Sequence, residues 1–344
     1  FFALQFSCGS DTLFAGIERV PPGAVLELTE GRARGAFTIR ALPAATPRRR
    51  FEGLNALDAV LEDSVRVHQR SDVPYGLFLS GGVDSTVVMA LMARLNDRPV
   101  VALTSGFPGT GVADERAAAR ETATRFGAVH HEVTLDEAVF WKLLPEVVTA
   151  LDDPVGDFAT LPTLAMAKRA RELGIKVVLC GEGGDELFAG YGRYRRARYR
   201  WTWRAGAGYR RRPKVPFDEL FRSPVPAWRG QIEAALARAR ALEGLSSLQQ
   251  AQFADVAEWL PNDLLTKLDR CLMACGVEGR TPFLDREVAH FAFPLADRDK
   301  VRHGQGKYPL KAWLAEYAPH SNPFARKRFF SVPVAEWIQA RGAE

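Results

Sequence analysis

The sequence predicts an α/β fold: a parallel sheet flanked by helices, preceded by a short β segment and followed by a mostly helical C-terminal part. Three observations carry this. From Phe51 onward, short apolar runs alternate with amphipathic stretches, which is the pattern of buried strands joined by crossover helices. Glycines stand at the junctions, above all Ser80-Gly81-Gly82 and Gly181-Glu182-Gly183-Gly184. Beyond Tyr191 the strand signals stop and helical periodicity takes over.

The elements follow in order. Val20-Pro21-Pro22-Gly23 is a turn, residues 24–28 alternate as a strand, Glu30-Gly31 turns again, and residues 36–40 form the second strand. A lone hairpin of this size has no core of its own. Residues 43–50, rich in Pro and Arg, read as a linker, and 54–68 as an amphipathic helix. Residues 75–79 are the first sheet strand, followed by a helix with Val83, Val87, Leu91 and Leu95 on its apolar face. Residues 100–104 form the second strand, 114–126 a helix ended by Gly127, and 128–133 the third strand. Helices at 136–150 and 160–173 lead, past Gly174, into a fourth strand at 176–180. Ligands of such sheets gather at the carboxyl ends of the strands. Residues 80–84, 104–106 and 180–185 should therefore meet around one ligand.

Composition narrows the class. Hydrophobic residues are 47% and charged residues 25% of the 344, normal for a globular protein with a real core. No apolar run approaches the ~20 residues of a membrane span, and no secretory leader is visible. Cys8, Cys180, Cys271 and Cys275 fit neither a disulfide framework nor a zinc pattern. Cys271 and Cys275 are expected on one buried helix face, and a reducing cytoplasm is the expected setting. A net charge of +5 suits an anionic substrate. The first residues, Phe1-Phe2-Ala3, lack a starting Met, so a fragment of a longer protein is expected.

The stretch Tyr75-Gly-Leu-Phe-Leu-Ser-Gly-Gly-Val-Asp-Ser85 carries the first chemistry. Adjacent glycines let the backbone turn tightly and open its amides to an anion, and the helix start adds unpaired N–H donors. Asp84 would repel a phosphate unless a divalent cation lay between them. No Gly-Lys-Ser/Thr follows, so this is not the kinase-type P-loop. It resembles the Ser-Gly-Gly-x-Asp-Ser pyrophosphate loop (PP-loop) of ATP pyrophosphatases, which split ATP into AMP and PPi. The resemblance implies their adenine-nucleotide α-hydrolase-like fold.

A second constellation, Cys180-Gly-Glu-Gly-Gly-Asp-Glu-Leu-Phe-Ala-Gly-Tyr191, sets three acids among glycines directly after a buried strand. With residues 80–85, this closely resembles the synthetase domain of glutamine-dependent asparagine synthetases. Further matches are Phe126-Gly-Ala-Val-His-His-Glu132, residues 260–267, Pro282-Phe-Leu-Asp285, Gly304-Gln-Gly-Lys-Tyr308 and Val332-Pro333. The resemblance covers about residues 51–338. Residues 1–45 resemble the tail of that family's glutaminase (Ntn-type) domain, especially Thr12-Leu13-Phe14 and Val20-Pro21-Pro22-Gly23. The implied division is 1–45 for that remnant and 51–344 for the ATP pyrophosphatase domain.

The resemblance implies adenylation of a carboxylate, the aspartate side chain first, with loss of PPi and then attack by ammonia. It implies that Ser80, Gly81, Gly82 and Ser85 hold the pyrophosphate and that Asp84 and Asp185 bind Mg²⁺. Leu79, Ser105, Cys180 and Gly181 match positions lining the adenosine pocket. Lys307 should stabilise the departing pyrophosphate, and Glu182 should assist ammonia. Ammonia would come from glutamine through a glutaminase domain. Cys8 cannot serve as that domain's nucleophile, because the N-terminal amine must sit on the nucleophile itself. A homodimer is compatible with the family; a membrane or nucleic-acid partner is not expected.

Two departures keep alternatives open. Aspartate-using relatives carry Thr-Thr-Ile-Arg where this chain has Val155-Gly-Asp-Phe-Ala159, which puts aspartate in question. Gly279 and Phe329 also depart from the usual residues. The same adenylate chemistry on another carboxylate, forming a lactam or a different amide, is one alternative. A tRNA-modifying PP-loop enzyme is the other, suggested by the basic and aromatic belt from Arg193 to Lys214. The plain reading of that belt is a helical surface with its tyrosines packed inward. His130 and His131, adjacent on a strand, should face opposite sides and are read as structural. Asp285 is read as either a cap or a site acid.

Overall fold

The computed structural model describes residues 1, 4–30, 32–38, 42, 49–198, 221–222, 230–325 and 331–341. Five parallel strands form the sheet: β3 (Tyr75–Phe78), β4 (Val101–Gly106), β5 (Val129–Thr134), β6 (Val177–Leu179) and β7 (Glu278–Arg280). Their order is β5-β4-β3-β6-β7. The chain starts the sheet in the middle at β3, moves outward through β4 to β5, then returns to the other side of β3 with β6. That reversal makes the crevice between the carboxyl ends of β3 and β6 the topological switch point, where ligands bind in open α/β sheets.

Helices cover both faces, as an all-parallel sheet requires. α1 (Leu54–His68), α2 (Val83–Leu95) and the helix Tyr308–Tyr317 pack Leu57, Leu61, Val87, Leu91, Trp313 and Leu314 onto Leu77 and Leu179. On the other face Ala167 and Ala170 join Leu268, Leu272, Val178 and Cys180. Those alanines lie on α5 (Thr160–Glu172), the two leucines on the helix Thr266–Met273. α3 (Arg116–Arg125) and α4 (Glu137–Ala150) complete the crossovers. Asp136 caps α4 by accepting the Val139 N–H at 2.8 Å, satisfying one of its orphan donors.

β7 corrects the expectation that strands end before Tyr191. Glu278-Gly279-Arg280 has no apolar run, because an edge strand needs only main-chain pairing with β6 on one side. The expected cysteine face holds for Cys271, which is buried, but not for Cys275. The helix ends at Met273, so Cys275 sits half-buried in the turn beyond it.

C-terminal to β6 the described chain is mainly helical. Gly230–Ala241 and Ser247–Ala254 precede a π-helical stretch, Asp255–Leu265. The second starts with a reciprocal capping box between Ser246 and Gln249.

At the other end, β1 (Ala24–Thr29) and β2 (Arg32–Thr38) pair antiparallel as a separate hairpin. Val25, Leu26 and Leu28 are exposed, in keeping with a hairpin that has no core of its own. The segment before it is anchored. Phe6 is buried, and Gln5 O accepts the Gly156 N–H at 2.6 Å. The Gly9 N–H donates to Glu258 Oε2 at 3.2 Å. Arg19 reaches Asp153 Oδ2 at 2.6 Å and Asn262 Oδ1 at 2.8 Å.

Candidate active site

The switch point brings two glycine-rich loops face to face. Residues 79–82 connect β3 to α2, which carries Asp84 and Ser85 in its first turn. Ser80 and Gly82 are exposed at the loop tip, whereas Ser85 is buried beneath them. The Ser80 N–H donates to Ser85 Oγ at 3.2 Å, and the Gly82 N–H donates to Ser80 Oγ at 3.2 Å. The two serine hydroxyls lie 3.0 Å apart. These donors, with the open start of α2, are what an incoming anion would engage.

The second loop follows β6 and turns into α6 (Gly184–Leu187). Here glycine is a matter of space. A Cβ at Gly184 would overlap Asp84 Oδ1, and one at Gly190 would overlap Asp185 Oδ1 and Lys307 Cε. The side chains of the site thus lie directly on backbone. Leu79, Ser105 and Cys180 are all buried, at the carboxyl ends of the adjacent strands β3, β4 and β6. Gly181 brings its backbone close to Asp84 Cβ and Ser85 N.

Lys307 closes the site from the C-terminal half. It is only 5% exposed. Its Nζ forms ion pairs with Asp84 Oδ2 and, at 2.7 Å, with Asp185 Oδ1. Burial alone would lower this ammonium, but the Asp185 and Asp84 carboxylates outweigh it and hold the lysine charged, above its ordinary range. The residue takes φ of 57° at the start of the helix Tyr308–Tyr317, with its N–H bonded to Phe188 O at 2.9 Å. Two carboxylates and a lysine, supplied from three separate stretches of sequence, therefore share one small volume.

This pair of acids also fits a magnesium ion. Mg²⁺ prefers hard oxygen donors and is usually held by one or two carboxylates together with substrate phosphates. Asp84 and Asp185 already converge on one cation, the lysine ammonium. Among the described residues no group of three or more His, Cys, Asp or Glu side chains forms a closed protein cage.

Glu182 sits half-buried beside this cluster. Burial raises its carboxyl above the usual range, Lys267 opposes that, and Asp84 and Asp157 add to it. Burial, then the Glu182 charge, pushes the Cys180 thiol well up, so Cys180 is a neutral wall. Glu186 is buried too, with the Tyr191 hydroxyl 2.8 Å from Oε1, and burial next to Asp185 pushes its carboxyl up to about 7.

Lys267 and Asp157 had no assigned role in the sequence reading. They form an ion pair at 2.7 Å, with Lys267 buried and Asp157 half-buried. The stretch 155–159 stands out in the sequence only because it lacks the arginine of the Thr-Thr-Ile-Arg found in aspartate-using relatives. Asp285 proves to be a cap, accepting the Glu287 N–H at 2.8 Å. His130 Nε2 lies 2.9 Å from Thr104 Oγ1, a structural contact. In the basic belt, Tyr194 is buried and Arg193 pairs with Asp255 at 2.7 Å. Arg195 and Arg198 bond Gly304 O and Val301 O at 2.8 and 2.6 Å. Residues 199–214 of the belt, like Phe329, lie outside the described residues.

Two glycine loops, two aspartates and a buried lysine thus meet at the switch point of a five-stranded parallel sheet. The asparagine synthase family model matches residues 56–344, and the chain belongs to the asparagine synthase family. A Mycobacterium tuberculosis protein, provisionally named a glutamine-hydrolysing asparagine synthetase, is 32% identical over 98% of this chain and 58% of its own length. Glutamine-hydrolysing asparagine synthetase 1 of Bacillus subtilis is 26% identical, over 98% of this chain and 59% of its own. Asparagine synthetase B of Escherichia coli is 27% identical, over 94% and 52%. The chain thus spans less than 60% of the length of these relatives. Solved structures include the NH3-dependent NAD synthetase of Campylobacter jejuni (18% identity, 41% of this chain and 61% of that one, TM-score 0.28). The U34-tRNA thiolase NcsA of Methanococcus maripaludis also matches (14%, 59% and 79%, TM-score 0.32). Both similarities are too distant to bear on function.

Proposed function

We propose that this domain adenylates a carboxylate with ATP, releasing PPi, and passes the acyl-adenylate to ammonia to give an amide and AMP. The first-choice acceptor is the side chain of aspartate, giving asparagine. The observation that carries this is the convergence of Asp84, Asp185 and Lys307 between two glycine loops. A carboxylate oxygen is a poor leaving group until it carries AMP, so the site must first break ATP between its α- and β-phosphorus atoms.

The residues divide that work. Ser80, Gly81, Gly82 and Ser85 hold the pyrophosphate, exchanging their mutual hydrogen bonds for phosphate oxygens. Asp84 and Asp185 hold Mg²⁺, which when bound offsets polyphosphate charge. Lys307 stabilises charge on the departing pyrophosphate. Leu79, Ser105, Cys180 and Gly181 flank the adenosine. Glu182 takes the proton that ammonia must lose. Residues 1–45 belong, in this reading, to a glutaminase domain that supplies the ammonia. The matched relatives are named as glutamine-hydrolysing.

The test is ATP/PPi exchange screened against carboxylic acids, aspartate first, with Mg²⁺ present. Acid-dependent exchange that disappears in Asp84→Ala is the expected result. Exchange that survives in Asp84→Ala, or that no acid supports, overturns the proposal. One observation favours a second reading, the same chemistry on a different carboxylate. The 155–159 loop offers an aspartate tied to Lys267 in place of an arginine. Exchange with another acid and none with aspartate would select it.

A further inference from the structure

The one-turn helix α6 carries Asp185 and is held from a distance. A helix of four residues leaves its C-terminal carbonyls without partners inside the helix, and a buried carbonyl needs one. Three of the carbonyls here are taken by nearby main chain. The Phe188 N–H donates to Gly184 O at 3.2 Å, the Gly190 N–H to Asp185 O at 2.8 Å and the Lys307 N–H to Phe188 O at 2.9 Å. The two carbonyls between them, Glu186 O and Leu187 O, both accept from Gln252 Nε2, at 2.5 and 2.9 Å. Gln252 is fully buried on the helix Ser247–Ala254, 66 and 65 residues further along the chain. Its other amide atom, Oε1, accepts from Lys300 Nζ at 2.7 Å. An ammonium only donates and a carbonyl only accepts, so the amide has one orientation: oxygen to the lysine, NH₂ to the loop. Lys300 is fully buried too, and a second bond to Phe293 O at 2.7 Å anchors it.

We propose that Gln252, its amide oriented by Lys300, is the positioning residue for Asp185, and so for the Mg²⁺ that Asp84 and Asp185 would hold. The inference rests on the function proposed above. The first carbonyl that Gln252 grips belongs to Glu186, one residue after Asp185. On the other side Gly190 leaves no room, since a Cβ there would overlap Asp185 Oδ1. The Asp185 carboxylate is therefore confined between the Gly190 backbone and a helical turn that cannot slide while Gln252 holds two of its carbonyls. Gln252 acts through the backbone of α6, and the helix Ser247–Ala254 thereby serves a site to which it lends no reacting group.

The test uses the full chain. Gln252→Glu keeps an oxygen for Lys300 but offers the two carbonyls a carboxylate in place of a donor. Mn²⁺ binding in the presence of α,β-methylene-ATP, followed by loss of the free-ion EPR signal, should weaken about tenfold to hundredfold, the usual cost of losing a partner that orients a metal ligand. The Mg²⁺ concentration that half-saturates ATP/PPi exchange should rise by the same factor, with the KM for the acid little changed, and excess Mg²⁺ should recover most of the rate. A role in stability alone would lower Tm and leave the metal dependence where it was; that result overturns the inference, as does an equal rise in the KM for the acid. If Gln252→Glu does not fold, Gln252→Met, which fills the same space without the amide, takes its place. Failure of both to fold also overturns the inference, because the side chain would then serve the whole core and not Asp185. A wild type that binds no Mn²⁺, or supports no exchange with any acid, strikes instead at the proposed function.

Discussion

Replacing Lys307 by Met removes the ammonium that Asp84 and Asp185 share. The lysine is nearly buried and both carboxylates are less than one-fifth exposed, so the charges left behind are poorly screened. Breaking a buried pair from one side costs about 3–5 kcal/mol. At about 2 °C per kcal/mol for a chain of this size, Tm should fall by roughly 6–10 °C. If the two acids form a magnesium site, Mg²⁺ can take over the lysine's electrostatic role. At free Mg²⁺ a hundredfold above Kd, binding to the folded state adds about 2.7 kcal/mol, or roughly 5 °C at the same conversion. Thermal melts of Lys307→Met with and without Mg²⁺ should show that recovery, larger than any shift in the wild type, where the ammonium competes for the same oxygens. Exchange should still fall by about 10²–10³, the usual loss when one preorganised charge-stabilising donor is removed. A variant as stable as wild type, or an equal Mg²⁺ shift in both proteins, would refute the reasoning.

Three further outcomes follow from separate features. Gly184→Ala places a Cβ on Asp84 Oδ1; exchange should drop by about a hundredfold while melts show a loss of only about 1–3 kcal/mol. Lys300 is fully buried and hydrogen-bonded at 2.7 Å to both Gln252 Oε1 and Phe293 O, and burial lowers its pKa from 10.5 to about 7. Between those two values the unfolded chain binds more protons than the folded one, so stability should rise with pH, by up to about 1.4 kcal/mol per pH unit. Urea unfolding from pH 7 to 10 should show that rise in the wild type and a flatter profile in Lys300→Gln. Arg19→Ala breaks the contacts to Asp153 and Asn262 and should cost about 1–2 kcal/mol in urea unfolding, a discounted figure for a partly exposed pair.

What the sequence disclosed followed the strength of each local signal. β3, β4 and β6 lay within one or two residues of where their apolar runs put them, because strands buried on both faces must be written in consecutive apolar residues, whereas β5, a half-exposed edge strand of sequence Val-His-His-Glu-Val-Thr, lay within one residue of its expected place without such a run. The glycine loops were legible because close backbone approach leaves no alternative residue at positions such as Gly184. β7 was invisible, since a three-residue edge strand carrying Glu278 and Arg280 has neither alternation nor an apolar run. The Asp157–Lys267 pair was equally hidden. Its members are 110 residues apart, and each alone reads as an ordinary charged residue. Lys307 would have passed for a surface lysine on its own; its flanking glycines and the family resemblance marked it, and the fold put it underground.

The backbone at Lys307 links that burial to purpose. A non-glycine residue with φ of 57° costs on the order of 1–3 kcal/mol and persists only where its surroundings over-determine it. Two features do so here. Its N–H is fixed to Phe188 O, and Gly306 lies so close to Ala189 O that a Cβ there would collide with it, so the chain enters the helix Tyr308–Tyr317 pressed against the second glycine loop. A glycine at 307 would relieve the strain but carry no ammonium. The chain keeps the strained lysine because this conformation sends Nζ past Gly190 to both carboxylates at once. The same contact ties the C-terminal helices to the loop after β6, so an element assembled late in the sequence completes the charge balance of a site laid down by β3 and α2.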